Sequence, residues 1–129
     1  MKISEYEPGN GADILREIAK DPNWVIFTND DTIDAYRKSL EKSITYVCYN
    51  NGDFCGYVRA ILDEGLSVYV SELFVVPGCR NHKIGQALLE RVSRDFSNLT
   101  VYALSDEDAY YERKGYIKAG SVFKLEAPG

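Results

Sequence analysis

Apolar positions along this chain alternate between two periods, and the changes of period mark its elements. Ile3 to Glu7 reads as a short first strand, closed by the turn-forming run Pro8-Gly9-Asn10-Gly11. Ile14, Leu15 and Ile18 then recur at helical spacing between Ala12 and Lys20. Asp21-Pro22 ends that helix, since proline lacks the amide hydrogen and disfavours helical backbone before it. A second helix is expected from about Asp31 to Lys42, with Ile33, Tyr36 and Leu40 on one face and Asp30 or Asp31 as cap.

Two strands follow around Asn50-Asn51-Gly52-Asp53, because Asn-Gly suits the positive φ of a hairpin turn. Whether the loop has two residues or four, the register sets Tyr49 opposite Phe54, Cys48 opposite Cys55 and Tyr46 opposite Tyr57. The second strand extends to about Leu62, turns at Asp63-Glu64-Gly65 and returns as Ser67 to Val76. After a polar turn, Ile84, Ala87, Leu88 and Val92 give a third helix its apolar face. Leu99 to Leu104 is a fifth strand, parallel to Ser67–Val76 because the link between them passes through a helix. Asp106 to about Lys114 is a short helix stopped by Gly115, and Ile117 to Glu126 reads as a last strand. The expected fold is α/β (α+β): a mixed, largely antiparallel sheet with helices on both faces, one domain over residues 1–129.

Composition narrows the function. Hydrophobic residues make up 45% of the 129, enough for a packed core. The formal charge of −5 argues against nucleic acid as a partner and leaves room for a cationic amine. The chain has no apolar run of membrane-spanning length, and Met1 to Glu7 lacks the apolar core of a signal peptide, so no membrane partner is expected. Cys48, Cys55 and Cys79 form no C-x-x-C pair, and His82 is the single histidine, so no metal is expected. Cys48 and Cys55 are read as small core residues in a reducing, cytoplasmic setting.

The most informative stretch runs from Ser71 to Val92. An apolar strand ends at Pro77, a turn carrying Arg80, His82 and Lys83 follows, and an amphipathic helix opens at Ile84. Strand, basic turn and helix together aim backbone N–H groups and the positive end of a helix dipole at an anion. Two motifs here resemble the GNAT superfamily of N-acetyltransferases, over roughly Trp24 to the C-terminus. One is Leu73-Phe-Val-Val-Pro with Arg80-Asn-His-Lys-Ile-Gly-Gln-Ala; it matches the family's phosphate turn, except that Lys83 stands where the family has its first glycine. The other is Ala109-Tyr-Tyr-Glu-Arg-Lys-Gly-Tyr116, like the family's Phe-Tyr-Glu-Lys-Leu-Gly-Phe. Gly56 in Phe54-Cys-Gly-Tyr-Val and the Leu99-x-Val101 strand accompany them.

The resemblance implies acetyl-CoA as cosubstrate, held in a splayed gap between the fourth and fifth strands. Its pyrophosphate would lie on the backbone of Arg80, Asn81, His82, Lys83, Ile84, Gly85, Gln86 and Ala87. Its pantetheine arm would pair with Leu73, Phe74 and Val75. Gly85 has no Cβ to hold the ligand off, and Lys83 still offers its N–H if its φ is negative. Acetyl transfer to an amine needs the ammonium, of pKa about 10, to lose a proton and the leaving thiolate to gain one. Tyr111 aligns with the tyrosine that serves as proton donor in many members, with Tyr110 its core-facing neighbour. Glu72 is the candidate base, directly or through a water; Asp30, Asp31 and Glu64 are weaker substitutes, and His82 belongs to the phosphate turn. Trp24, Tyr36, Tyr46, Tyr57 and Tyr69 are candidates for the acceptor pocket, with core packing as their default role. The implied activity is N-acetyl transfer to a small-molecule or peptide amine by direct attack in a ternary complex, in a chain that can pair as a homodimer. The alternatives are a non-catalytic acyl-CoA sensor of the same fold and, disfavoured by the acidic balance, a member acting on charged tRNA.

Overall fold

The computed structural model describes residues 1–24 and 29–129. Five strands form one sheet in the order β1-β2-β3-β4-β5: β1 (Lys2–Glu5), β2 (Ile44–Asn50), β3 (Asp53–Asp63), β4 (Ser67–Val75) and β5 (Thr100–Ala103). The first four pair antiparallel, and β5 runs parallel to β4, as the intervening helix requires. Among the described residues four α-helices accompany the sheet: α1 (Gly11–Ile18), α2 (Ile33–Lys42), α3 (Ile84–Asp95) and α4 (Asp108–Arg113).

The helical stripes bury as their spacing predicts. Ile14, Leu15 and Ile18 of α1 join Tyr36 and Leu40 of α2 over one sheet face, against Val47, Phe54, Tyr57 and Phe74. Ile84, Leu88, Leu89 and Val92 of α3 cover the other, against Cys48, Cys55, Val58, Val68 and Val70. The cap of α2 differs from expectation. Neither Asp30 nor Asp31 serves: the helix opens at Ile33, two residues later than the expected start, and Asn29 Oδ1 accepts from the amides of Asp31 (3.0 Å) and Thr32 (3.1 Å) ahead of it.

The β2–β3 hairpin has the two-residue loop, with Asn51 and Gly52 at φ 52° and 86°. Tyr49 opposes Phe54 as expected, but the register then shifts: Cys48 opposes Gly56, Val47 opposes Tyr57 and Tyr46 opposes Val58. Cys55 is the extra residue of a bulge. The bulge switches the parity of the strand, so that Phe54 and Tyr57 both reach the α1 side while Cys55 and Val58 both reach the α3 side. All three cysteines are free.

A second bulge shapes β4. Arg59 opposes Glu72 but Ala60 opposes Val70, so Ser71 is surplus. Val68 and Val70 face α3 before it; after it Leu73 and Val75 face α3, while Phe74 turns to the α1 side. Pairing with β5 stops at the same place. Its last bond runs from the Leu104 amide to the Val70 carbonyl (2.9 Å), and Ser71–Val75 continue with no β5 partner.

The turn into α3 is left-handed twice, at Asn81 (φ 68°) and Lys83 (φ 62°). The condition set on Lys83, a negative φ, is therefore not met: lysine sits in the conformation that glycine adopts freely. The expected last strand is also absent. Residues 116–129 carry no helix or strand, although Ile117, Val122, Phe123 and Leu125 have strand-like composition. Propensity alone does not make a strand; it needs a neighbour for its amides, and none is paired here.

Two stability predictions follow from backbone geometry. A Cβ on Gly56 would stand 2.5 Å from the Phe74 carbonyl oxygen. Gly56→Ala is expected to cost about 1–3 kcal/mol in urea unfolding, and a loss below about 0.5 kcal/mol would contradict the close β3–β4 approach. Lys83→Gly relieves about 1–2 kcal/mol of left-handed strain against about 0.5–1 kcal/mol of added chain entropy. The variant is expected to match or exceed the parent in Tm, and a lowered Tm would refute the left-handed turn.

Candidate active site

The end of pairing at Val70 opens a cavity of about 160 Å³ in the split between β4 and the segment after β5. Ser71, Glu72 and Leu73 line it from β4, Leu104, Asp106 and Tyr111 from the β5–α4 side, and Asn23 and Trp24 from the segment after α1. Six of these eight residues are gathered by the bulge and the split; Asn23 and Trp24 close the wall. Trp24 is held edge-on to Phe74 (5.3 Å between centroids) and Tyr57 (6.3 Å). A larger hollow of about 290 Å³ lies off the split, between Glu5, Glu41, Tyr46 and Phe96. It gathers neither of the sequence-predicted catalytic residues.

Glu72 is buried at the cavity floor, and its charge is not alone. Arg59, directly opposite on β3, grips both carboxylate oxygens, Nε to Oε1 at 2.8 Å and Nη2 to Oε2 at 2.6 Å. The Arg59 guanidinium also donates to Ser43 Oγ and Ser71 Oγ, each at 3.1 Å. From α2, the Tyr36 hydroxyl donates to Glu72 Oε1 at 2.7 Å and contacts the Tyr57 hydroxyl. Burial disfavours the Arg59 cation, but its bonds to the carboxylate outweigh that, and its pKa is raised. Burial first holds both phenols well above the ordinary tyrosine range, reinforced at Tyr36 by Tyr57 and then Glu72 and at Tyr57 by the charge of Glu72, so each stays protonated.

Tyr111 faces the cavity, and its phenol is pushed up to about 12, chiefly by burial and secondarily by Asp106. Tyr110, beside it, takes the other direction. Its hydroxyl lies 2.6 Å from where a Cβ on Gly85 would be, so Gly85 here makes room for Tyr110. Tyr111 thus lines the cavity and Tyr110 meets Gly85, while both rings pack against the α3-side core.

The turn before α3 is a donor array. Among the described residues no backbone bond engages the N–H groups of Asn81, His82, Lys83, Ile84, Gly85 or Gln86; that of Ala87 is already spent on the Lys83 carbonyl (3.0 Å). Alternating left-handed residues curl such amides into a concave nest. Asn81, His82 and Lys83 are exposed. Arg80 is partly committed, its Nε donating to the Val75 carbonyl at 3.0 Å, which ties the turn to the end of β4. Leu73, Phe74 and Val75 lie on the stretch of β4 that has lost its β5 neighbour.

Other candidates fall outside this cluster. Tyr36 and Tyr57 sit behind Glu72, Tyr46 donates to Asp95 (2.7 Å) under α3, and Tyr69 stacks on Tyr102 (5.5 Å). Asp30, Asp31 and Glu64 do not line the cavity. Among the described residues no group of His, Cys, Asp or Glu could hold a metal, and no helix is long and apolar enough to cross a membrane. Sequence reasoning missed Arg59 and Asp106. Arg59 had a signal: a lone cation in the apolar run Phe54–Leu62, two residues from Tyr57 and so on the same inward face. Asp106 had none, because its position depends on the split.

Comparison with known proteins agrees with this architecture. The chloroplastic GCN5-related N-acetyltransferase 3 of Arabidopsis thaliana is 24% identical over 95 residues, covering 70% of this chain; the chain spans 40% of that relative's length. An aminoglycoside N-acetyltransferase in complex with CoA superposes with a TM-score of 0.76 at 13% identity, covering 98% of this chain and 93% of its own. A ribosomal-protein-alanine N-acetyltransferase from Brucella melitensis biovar Abortus gives 0.73 at 16% identity, covering 98% of both chains. The sequence profile described as the Acetyltransferase (GNAT) domain matches residues 41–118, from the end of α2 to just past α4, and the chain belongs to that family.

Proposed function

We propose that this chain is an acetyl-CoA-dependent N-acetyltransferase that acetylates a primary amine by direct attack in a ternary complex. One observation carries the reading: six unengaged amides, Asn81 to Gln86, stand at the end of the same split strand whose other flank holds a tyrosine and two carboxylates. The donor set fits a pyrophosphate, with backbone N–H groups from Asn81 to Gln86 and the cations of Arg80 and Lys83 around them. The open edge at Leu73, Phe74 and Val75 fits an amide-bearing pantetheine arm. Acetyl-CoA supplies an activated acyl thioester; the rest is done by the chain.

The acceptor enters as an ammonium, drawn to Asp106 and Glu72 and bounded by Trp24. Arg59 occupies both Glu72 oxygens in the plane, so Glu72 works as a fixed anion that orients a water, and the water carries the ammonium proton away. The neutral amine forms the C–N bond as the C–S bond breaks. A β4 amide on the open edge stabilises the carbonyl oxygen during that exchange. Tyr111 delivers its phenolic proton to the departing sulfur and is restored from solvent. A pKa near 12 keeps that proton in place throughout the neutral range. A second reading, an acyl-CoA-binding domain without turnover, draws on the Arg59 clamp, which occupies both Glu72 carboxylate oxygens.

Release of free thiol from acetyl-CoA, followed with a panel of primary amines, tests both. Tyr111→Phe is expected to lower kcat about 100-fold with the apparent affinity for acetyl-CoA unchanged. Ionisation of Tyr111 should add no alkaline fall in the rate below about pH 10. Equal rates in parent and variant would remove Tyr111 from the mechanism. A thermal shift with CoA and no turnover on any amine would favour the second reading.

A further inference from the structure

Cys48, Cys55 and Cys79 come from three different segments and meet in the α3-side core. Cys48 on β2 and Cys55 on β3 are buried there, and Cys79 packs against the same cluster from the 3₁₀ turn Pro77–Cys79 that follows β4. The backbone brings Cys79 back over Cys55. The Val76 amide donates to the Cys55 carbonyl (2.8 Å), which sets Val76 beside the bulge. The Cys79 amide then donates to the Val76 carbonyl (2.8 Å), which folds the turn back toward the same point. The two strands are already pressed close here, since Gly56, opposite Val75, has no room for a Cβ. The Cys55 and Cys79 thiols end in hydrogen-bond contact, and both are free.

The two thiols differ in what can reach them. Cys79 is half-buried between the exposed Gly78 and Arg80, and a side chain at Gly78 would meet open space, so a small reagent can approach. The exposed cations of Arg80 and Lys83 make that approach locally positive, which suits a reagent bearing carboxylates. Cys55 is 2% exposed; burial, and after it the hydrogen bond with Cys79, pushes its thiol up to about 11. It is a poor first nucleophile. As a second nucleophile it is well placed, because contact with the Cys79 sulfur makes up for its small thiolate fraction. Cys48 is 0% exposed, so a Cys48–Cys55 pair would have no entry thiol. The proposed acyl transfer uses none of the three.

We propose that Cys79 and Cys55 are a redox-active pair, which a small disulfide converts to an intramolecular disulfide that fastens the turn ahead of α3 to the β3 bulge. The Cys79 thiolate attacks one sulfur of the reagent, forming a mixed disulfide and expelling one reagent thiol. Cys55 gives up its proton and attacks the Cys79 sulfur, expelling the second. Two protein thiols are oxidised, one small disulfide is reduced to two thiols, and no other reactant is needed. Arg80 to Gln86 follow directly from Cys79, so the crosslink restrains the root of the amide turn whatever those amides bind.

Oxidised glutathione, added in excess to the reduced full chain at about pH 8, tests this by intact mass and by peptide mapping after alkylation. The expected product is lighter by about two hydrogens, carries no glutathione, maps to a Cys55–Cys79 link and is reversed by dithiothreitol. Cys48→Ser should react as the parent does. Cys79→Ser should form no crosslink, and Cys55→Ala should stop at a glutathione adduct on Cys79. Trypsin cleavage after the exposed Arg80 and Lys83 should slow at least about 3-fold on oxidation, because a tethered turn opens less often. Should Cys55→Ala fail to fold, the map of the parent chain decides. A stable glutathione adduct on the parent, a crosslink to Cys48 or between two chains, three unreacted thiols, or unslowed cleavage of the oxidised chain would each overturn the proposal.

Discussion

One surplus residue on β4 organises the molecule. With Ser71 bulged, the strand changes which parity faces which helix layer. Val68 and Val70 fill the α3 core, and after the bulge Phe74 reaches the α1 core while Glu72 comes to lie opposite Arg59. Without it, continued alternation would place Glu72 on the face of Val70, against Leu88 and Val92 on the apolar face of α3. The bulge also increases local twist, and β5 departs within one residue of it. The core arrangement and the opening of the cleft thus have a common cause.

That arrangement places a carboxylate and a guanidinium inside the protein, which is favourable only if both are fully bonded. Here they are: no buried side-chain polar atom among the described residues lacks a partner. Removing one member of such a pair typically costs about 3–5 kcal/mol, because the other charge is left in low dielectric. Glu72 is thereby a poor test of catalysis by simple deletion, since a lost fold and a lost base would look alike. Its position at the cavity floor, rather than its availability as a free base, is what the geometry fixes.

Local signals carried much of the fold. The apolar stripes of α1, α2 and α3, the Asn51-Gly52 turn and the glycine stop after α4 each depend on neighbours within a few residues, and each formed as read. The departures were non-local. Cys55 and Ser71 become bulges because two cores on opposite faces must be filled at once, and no periodicity within one strand announces that. The final strand failed for a related reason: its composition was right, but no strand of the described sheet pairs with it. In the site, Tyr111 and the amide turn were legible from motif and spacing. Arg59 was visible only as an oddity in an apolar run, and Asp106 depends on where the chain travels after β5.

On the proposed reading, the amide turn before α3 reconciles an acidic chain with an anionic ligand. Net charge acts over distances that salt screens beyond about 8 Å, whereas six amides act at contact. The turn has its own local balance: Arg80, Lys83 and the α3 dipole are positive, and Lys114 lies close by, its ammonium 3.3 Å from Gln86 Oε1. Lysine at a left-handed position costs stability that glycine would not. On that reading the ammonium offsets the strain through its attraction for the anion, in a protein whose net charge opposes it. Added salt should then matter in two opposing ways, weakening the local cation–phosphate attraction while also damping the long-range repulsion of the −5 chain. Because the local charges are nearer the ligand than the rest, the first effect dominates at low ionic strength, and the amides, which carry no net charge, set the affinity that remains when salt is high.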